Sequence, residues 1–214
     1  QFATLSTGEI FQPINSLRVK QVKLARYQRA MSRKTKFSKN WLKAKSKVAK
    51  LHSTIANIRR DYLHKTSTAV SKNHAIIAIE ALKVANMSKS AKGSSEKHGR
   101  NVKAKSGLNK AILDQGWFAF RRQLEYKQAW LGGQVIAVPP QYTSQKCACW
   151  GHTEKANRIT QSKFECIACG HAENADINAA RNILAAGLAV LACGEMMQLD
   201  HSVKQELTEG KHSI

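Results

Sequence analysis

Two short uninterrupted apolar runs constrain this chain most: HAIIAIEAL from His74 to Leu82, and QVIAV from Gln134 to Val138. Neither shows the alternation of a strand with one wet face, so both read as strands buried on both faces. Between them Asn109 to Trp130 carries a helical pattern, with Ile112, Leu113, Phe120, Leu124 and Ala129 available for packing, and Gly132-Gly133 to stop it. Pro139-Pro140 ends the second strand. Strands that alternate with helices indicate an α/β domain with a partly parallel sheet.

The rest of the chain fits around that frame. ATLS and EIF, split by Ser6-Thr7-Gly8, read as a short hairpin. A basic helix is expected from about Val22 to Lys34. A longer one follows, because Trp41, Val48, Leu51, Ile55, Ile58 and Tyr62 recur at spacings of three, four and seven and make one apolar stripe. Ser88 to Ser106, rich in Ser, Lys and Gly, reads as a mobile basic loop. Ile177, Ala180, Leu184, Leu188 and Leu191 mark a last amphipathic helix. The expected boundaries are a first α/β part over 1–140, with basic helices in 18–72, and a cysteine-bearing insertion over 141–172. A final helix over 173–193 and a polar, flexible tail over 194–214 complete them.

Charge adds a partner to this outline. The formal net charge is +21, and 24 of the 35 Lys/Arg but only 3 of the 14 Asp/Glu lie between Arg18 and Lys105. A concentrated basic segment is the footprint of a polyanion, because Lys and Arg release counterions condensed on phosphates. Lys43, Lys47, Lys50, Arg59 and Arg60 lie off the apolar stripe of the second helix and are the candidate phosphate contacts. The alternative is a merely solvated helix face. No Trp/Phe-rich apolar face accompanies the charge, no 18-residue apolar run spans a membrane, and no secretory signal opens the chain. The expected location is the cytoplasm, in association with the nucleoid.

Four of the five cysteines fall between Cys147 and Cys169, a clustering that suits a metal better than a disulfide framework. Cys166-x-x-Cys169 has the spacing of paired zinc ligands, whereas Cys147-x-Cys149 is one residue too short. Cys147, Cys149, Cys166 and Cys169 are the candidate metal ligands. Two acidic residues stand out in so basic a chain. Glu80 ends its apolar strand, and Asp176 opens the final helix. Each alone has a structural reading, an exposed strand end and a helix N-terminal carboxylate. Together they suit two-metal phosphodiester chemistry, which needs several carboxylates to hold Mg²⁺.

HAIIAIEALKVANMSKS, GLNKAILDQGWFAFRRQLEYK, YTSQKC with CGHAENADINAARNIL, and LACGE resemble, in the same order, the C-terminal half of the OrfB/TnpB proteins of insertion sequences. These are transposon-encoded RNA-guided DNA nucleases related to type V CRISPR effectors. The resemblance runs from about Phe2 to Glu195. It implies a RuvC-like domain of RNase H fold, incomplete at its N-terminus and interrupted by a zinc ribbon, with an Asp-Glu-Asp set of Mg²⁺ ligands. Glu80 matches the central glutamate and Asp176 the last aspartate. The first aspartate belongs to a Gly-x-Asp-x-Gly strand that this sequence does not contain. In relatives the first knuckle reads Cys-x-x-Cys-Gly-His, and here Trp150 occupies the second ligand position. The resemblance therefore implies that Cys147, Cys166 and Cys169 keep ligand geometry, with Cys149, or second to it His152, as a weakened fourth; an unliganded, partly disordered ribbon is the alternative.

The resemblance thus implies DNA and guide RNA as partners, zinc below full occupancy, and Mg²⁺ only at a completed site. Three readings follow: a shortened nuclease with little or no cleavage, a DNA- or RNA-binding regulator of transposition, or part of an active Mg²⁺-dependent endonuclease whose upstream segment is omitted.

Overall fold

The computed structural model describes the backbone of residues 1–209 and the side chains of residues 1–193. The chain sorts into two compact units that do not follow its linear order. One comprises Gln1–Phe2, Phe11–Ala75 and Lys83–Gly133; the other comprises Ala3–Ile10, Ile76–Leu82 and Gln134–Ile214. This grouping differs from the expected division near residue 140, since both apolar runs belong with the cysteine segment. Near the start, β1 (Ala3–Thr4) and β2 (Ile10–Phe11) pair as the expected small hairpin.

The first unit is helical. Helix α1 (Ser16–Ser32) packs against α2 (Lys39–Asn73), with Leu24, Leu51 and Ile55 buried between them and Leu17, Tyr27 and Val48 alongside. The middle of the stripe read from the sequence, Val48, Leu51 and Ile55, is therefore core, while Trp41, Ile58 and Tyr62 are only partly buried. Helix α1 begins six residues before the expected start, and the reason is remote. Asn15 makes no side-chain cap; instead the buried Asp114 accepts from the Ser16 hydroxyl at 2.9 Å and from the Leu17 backbone N–H at 2.9 Å. A carboxylate at a helix N-terminus satisfies orphan N–H groups and complements the dipole, whatever part of the chain supplies it. Arg59 supplies the countercharge to Asp114 at 3.3 Å.

After the short α3 (Val84–Met87), the helix expected from Asn109 to Trp130 is two helices, α4 (Val102–Gln115) and α5 (Trp117–Leu131). Gly116 breaks it in the left-handed region, φ +73°. A side chain there would be strained, and its Cβ would lie 3.1 Å from Leu63 Cδ1 and 3.3 Å from Arg59 Cδ. The break resets the helical phase. Leu124 is buried, but Leu113 and Ala129, expected to pack, are exposed. Helix α5 packs on α2, where the Gln128 carboxamide donates to the Ser71 and His74 carbonyls and the Ser67 hydroxyl donates to Gln123. The basic loop expected over Ser88 to Ser106 ends earlier, because α4 starts at Val102.

In the second unit β3 (Ile76–Glu80) runs parallel to β4 (Gln134–Val138), with Glu80 opposite Val138. The parallel pairing is as expected, but burial on both faces is not. This sheet has two strands among the described residues, so only Ile77 and Val138 are fully buried while Ile76 is exposed. Helix α6 (Ala175–Glu209) packs on the pair at Gly187, where a Cβ would stand 2.6 Å from that of Ala78. Its buried line runs through Ala175, Asn178, Asn182 and Gly187, and Leu188, expected on that face, is exposed.

Segment Ala175–Cys193 is long and apolar enough to cross a membrane by length and composition alone, with a mean hydropathy of 1.2. Its two buried carboxamides instead bond the adjacent loop, as in a helix laid on a sheet. The backbone of α6 continues through most of the segment expected as a flexible tail, and residues 210–214 of that expectation lie outside the described residues. Finally, β5 (Lys163–Glu165) and β6 (Ala172–Asn174) form an antiparallel hairpin over the fully buried Phe164.

Asp114 joins one helix terminus, one serine and one arginine, so its removal leaves several partners unpaired. Asp114→Ala is expected to cost about 3 kcal/mol, in the range for breaking a buried pair. Urea unfolding should show a lower midpoint with an unchanged m-value, which separates lost stability from a changed denatured state.

Candidate functional site

The two cysteine turns are built alike. In the first, the Cys147 backbone N–H donates to the His152 carbonyl at 2.9 Å and the Gly151 N–H donates to the Cys147 carbonyl at 2.8 Å. In the second, Cys166 N–H donates to the His171 carbonyl at 2.9 Å and Gly170 N–H to the Cys166 carbonyl at 2.9 Å. Gly151 and Gly170 close the turns with φ of +78° and +70°, a conformation that favours glycine. The hydrogen bonds align Cys147 with Cys166, Gly151 with Gly170 and His152 with His171. Trp150 therefore stands where Cys169 stands in the other turn, and it is 72% exposed.

Cys147, Cys166 and Cys169 gather their sulfurs within 4.8 Å of one another and could hold a metal ion; Cys149 is exposed and outside the group. The Cys147 and Cys169 sulfurs are 3.7 Å apart. That matches the edge, about 3.8 Å, of a tetrahedron with metal–sulfur bonds of about 2.3 Å. Burial opposes ionisation of Cys166, but the backbone N–H groups of Cys169 and Ala168 and the two neighbouring thiols outweigh it and bring the group down to about 7. A backbone hydrogen bond at His171 favours the Cys169 thiolate, yet burial and the other two sulfurs prevail and push it up to about 11. Three sulfurs this close do not all ionise without a cation among them, and a bound cation would hold all three as thiolates. The expected fourth ligand is absent from the group because Cys149 lies on the outer side of its turn.

Three buried asparagines organise these turns, and none was singled out in the sequence. The Asn157 carboxamide donates to the Gln145 and His152 carbonyls and accepts from the Ile167 N–H, so it joins the two turns. Asn178 accepts from the Ala148 N–H at 3.0 Å and donates to the Lys146 carbonyl at 2.8 Å. Asn182 donates to the Thr143 carbonyl at 2.9 Å and to the Lys146 carbonyl at 2.6 Å. Asn178 and Asn182 sit one helical turn apart among alanines, a polar stripe on an apolar helix that is the signal by which they could have been found.

The same loop reaches a carboxylate. Thr143 Oγ1 donates to Glu80 Oε1 at 2.8 Å. Glu80 lies at the carboxyl end of β3, where open α/β sheets present groups to ligands. Asp176 lies in the first turn of α6, just after Asn174, whose side chain caps the helix by accepting from the Asp176 and Ile177 N–H groups. It is half-exposed, with Arg158 at 3.9 Å. Among the described residues the cysteine trio is the group of three or more Cys, His or carboxylate ligands close enough to share a metal ion, and neither Glu80 nor Asp176 belongs to such a group. The residues present thus fit three-quarters of a tetrahedral thiolate site and do not complete a Mg²⁺ site.

Of the candidate phosphate contacts, Lys43, Lys47, Lys50 and Arg60 are exposed on α2. Arg59 departs from the expectation: its guanidinium is committed to Asp114 on the packed side of the helix. Periodicity placed it off the stripe, but not against a helix 55 residues away.

Restoring the fourth sulfur tests the alignment of the two turns. Trp150→Cys is expected to raise zinc retained after dialysis against a weak chelator, measured by elemental analysis, from below one equivalent towards one. Cys149→Ser is expected to leave the parent value unchanged.

The chain matches two family models, "Probable transposase" of the OrfB_IS605 family over residues 1–91 and "Cas12f1-like, TNB domain" over residues 117–183. Two relatives carry the name "Putative RNA-guided DNA endonuclease". InsQ of Escherichia coli (strain K12) is 66% identical over 98% of this chain and 52% of its own length. The protein of Streptomyces pristinaespiralis is 38% identical over 90% of this chain and 44% of its own. A solved Cas12f1–sgRNA–target DNA complex is 19% identical, with a TM-score of 0.47 over 79% of this chain and 41% of that one. The chain spans about half the length of the curated relatives it matches. By these matches it belongs to the OrfB/TnpB family of insertion-sequence proteins.

Proposed function

We propose that these 214 residues form the C-terminal part of a transposon-encoded, RNA-guided DNA endonuclease: a RuvC-like domain of RNase H fold carrying a zinc ribbon. In this reading the chain binds DNA and guide RNA and supplies two carboxylates, Glu80 and Asp176, to a Mg²⁺-dependent centre. One observation carries it. Glu80, at the end of a strand in a parallel pair, is joined through Thr143 and Asn182 to the helix that opens with Asp176. The loop that carries Thr143 is also fastened to this helix at Ala148, through Asn178, so one loop links the two elements that carry the carboxylates, which supports the reading.

Cys147, Cys166 and Cys169 would hold zinc in a structural role, clamping the ribbon onto the same loop through Lys146 and Ala148. Zinc supplies no redox chemistry there; it replaces hydrophobic core in a segment too short to build one. Phe164 and Ala175 are the buried apolar residues beside the sulfurs.

Binding would rest on α2 and its neighbours. The basic segment holds 24 Lys/Arg, and Lys43, Lys47, Lys50 and Arg60 project into solvent without acidic partners in the ion pairs found. Phosphate contacts position a protein on a strand without reading bases, so affinity should be broad in sequence.

Two outcomes are expected of the purified chain. It should not cut DNA with Mg²⁺, with or without guide RNA, because two carboxylates do not hold the ion pair that phosphodiester cleavage uses. A nicking assay checks this, and cleavage abolished by Glu80→Ala or Asp176→Ala would show the centre to be complete. Its affinity for unrelated duplex and single strands should fall by roughly a thousandfold between about 50 and 200 mM salt if some six phosphates are neutralised. Replacing Lys43, Lys47, Lys50 and Arg60 with Gln should flatten that slope on every strand. A slope left unchanged would make these residues a solvated surface.

A further inference from the structure

The turn between α1 and α2 carries an aromatic pair in an unusual setting. Phe37 is 71% exposed, the Trp41 ring meets it edge to face at 5.5 Å between centroids, and both rings have an ammonium beside them. Lys36 Nζ lies 5.1 Å from the Phe37 centroid and Lys45 Nζ 5.3 Å from that of Trp41. Between Arg33 and Lys45 there are six Lys/Arg and no Asp/Glu.

The backbone makes the choice of Phe37 harder to explain as a mere turn residue. Its φ is +68°, the left-handed region, where Gly or Asn is the ordinary choice and a bulky side chain is strained. The turn itself is closed without the ring. Ser38 N–H donates to the Thr35 carbonyl at 3.1 Å, and the Ser38 hydroxyl caps α2 by accepting from the Trp41 N–H at 3.2 Å. A large apolar ring is thus held in a strained conformation, facing water, at the most uniformly basic turn of the helical pair. Strain kept at an exposed position is a reason to look for a ligand.

We propose that Phe37, backed by Trp41, is a stacking platform for an unpaired nucleobase, flanked by ammonium groups that hold the phosphates on either side of it. This rests on the nucleic-acid reading above and narrows it. Every base offers a π-face to an aromatic ring, and the surrounding cations track the backbone, so the platform is indifferent to sequence. In a duplex those faces are taken by neighbouring bases. The platform therefore distinguishes unpaired from paired strands, which the lysines of α2 do not. Nothing at the turn selects the sugar, so DNA and RNA single strands should bind alike.

The test is fluorescence anisotropy of the 214-residue chain with labelled oligothymidylate, oligouridylate and a duplex of equal length. The parent should prefer the single strands. Phe37→Leu, which keeps bulk but loses the π-face, should weaken single-strand binding about tenfold, within the range for one stacked base. Phe37→Trp should preserve it. Phe37→Gly removes ring and strain together, so it should match the loss while keeping or raising the melting temperature, which separates lost stacking from lost fold. Duplex affinity and its salt slope should be unchanged in all three variants. The loss should be the same on oligothymidylate and oligouridylate, and a loss confined to one of them would overturn a sugar-indifferent platform. Equal losses on duplex and single strands, or no loss in Phe37→Leu and Phe37→Gly, would overturn it and leave the ring to a protein contact. If the parent bound no strand at all, the nucleic-acid reading itself would fail.

Discussion

Backbone groups in a buried loop must find partners, and in the cysteine-bearing unit that need is met by asparagine side chains. Residues 143–148 connect β4 to the cysteine turns without a strand or helix of their own. Asn178 and Asn182, from one face of α6, satisfy the Thr143 and Lys146 carbonyls and the Ala148 N–H. A carboxamide both donates and accepts, so two side chains can hold a loop that would otherwise leave several polar groups unpaired at about 1–3 kcal/mol each. The position of Thr143 follows from this, and through it the orientation of Glu80. The hydrogen bond that Glu80 accepts therefore depends on how a loop is fastened to a helix, not on the strand alone.

The cysteine turns show how much of such a cluster is set by backbone. Both turns have the same hydrogen bonds and the same positive-φ glycine, although only one retains a sulfur at the second position. Cys149 does not compensate, because moving a sulfur one residue along a tight turn rotates it out of the cluster. Asn157 ties the two turns together through side-chain hydrogen bonds that need no ion.

In the helical unit the corresponding device is a charge. Asp114 serves as the N-terminal cap of α1, the acceptor for Ser16 and the partner of Arg59. It takes one arginine out of a largely unpaired basic helix, on which Lys65 also pairs with Asp61 at 2.8 Å. Lys43, Lys47, Lys50 and Arg60 remain exposed on α2, where acidic residues are few. Net charge of one sign over a long helix costs self-repulsion, which is tolerated where a polyanion is the partner.

The sequence by itself determined the pieces that depend on nearby residues. The small hairpin, the apolar stripe of α2, the two parallel-pairing runs, the ends set by Gly132 and Pro139, and the alternation of strands and helices were all legible, because propensity and periodicity are local. So was the grouping of Cys147, Cys166 and Cys169, through ligand spacing. Tertiary structure alone decided the rest. The start of α1 depended on a carboxylate 97 residues away, and the break at Gly116 on the proximity of Leu63 and Arg59. The half-open faces of β3 depended on how many strands pair with it. The roles of Asn178 and Asn182 depended on which side of α6 meets the loop, and the orientation of Arg59 on the position of Asp114. Each is a contact between residues far apart in the chain, and a pattern of three or four residues carries no information about what folds back against it.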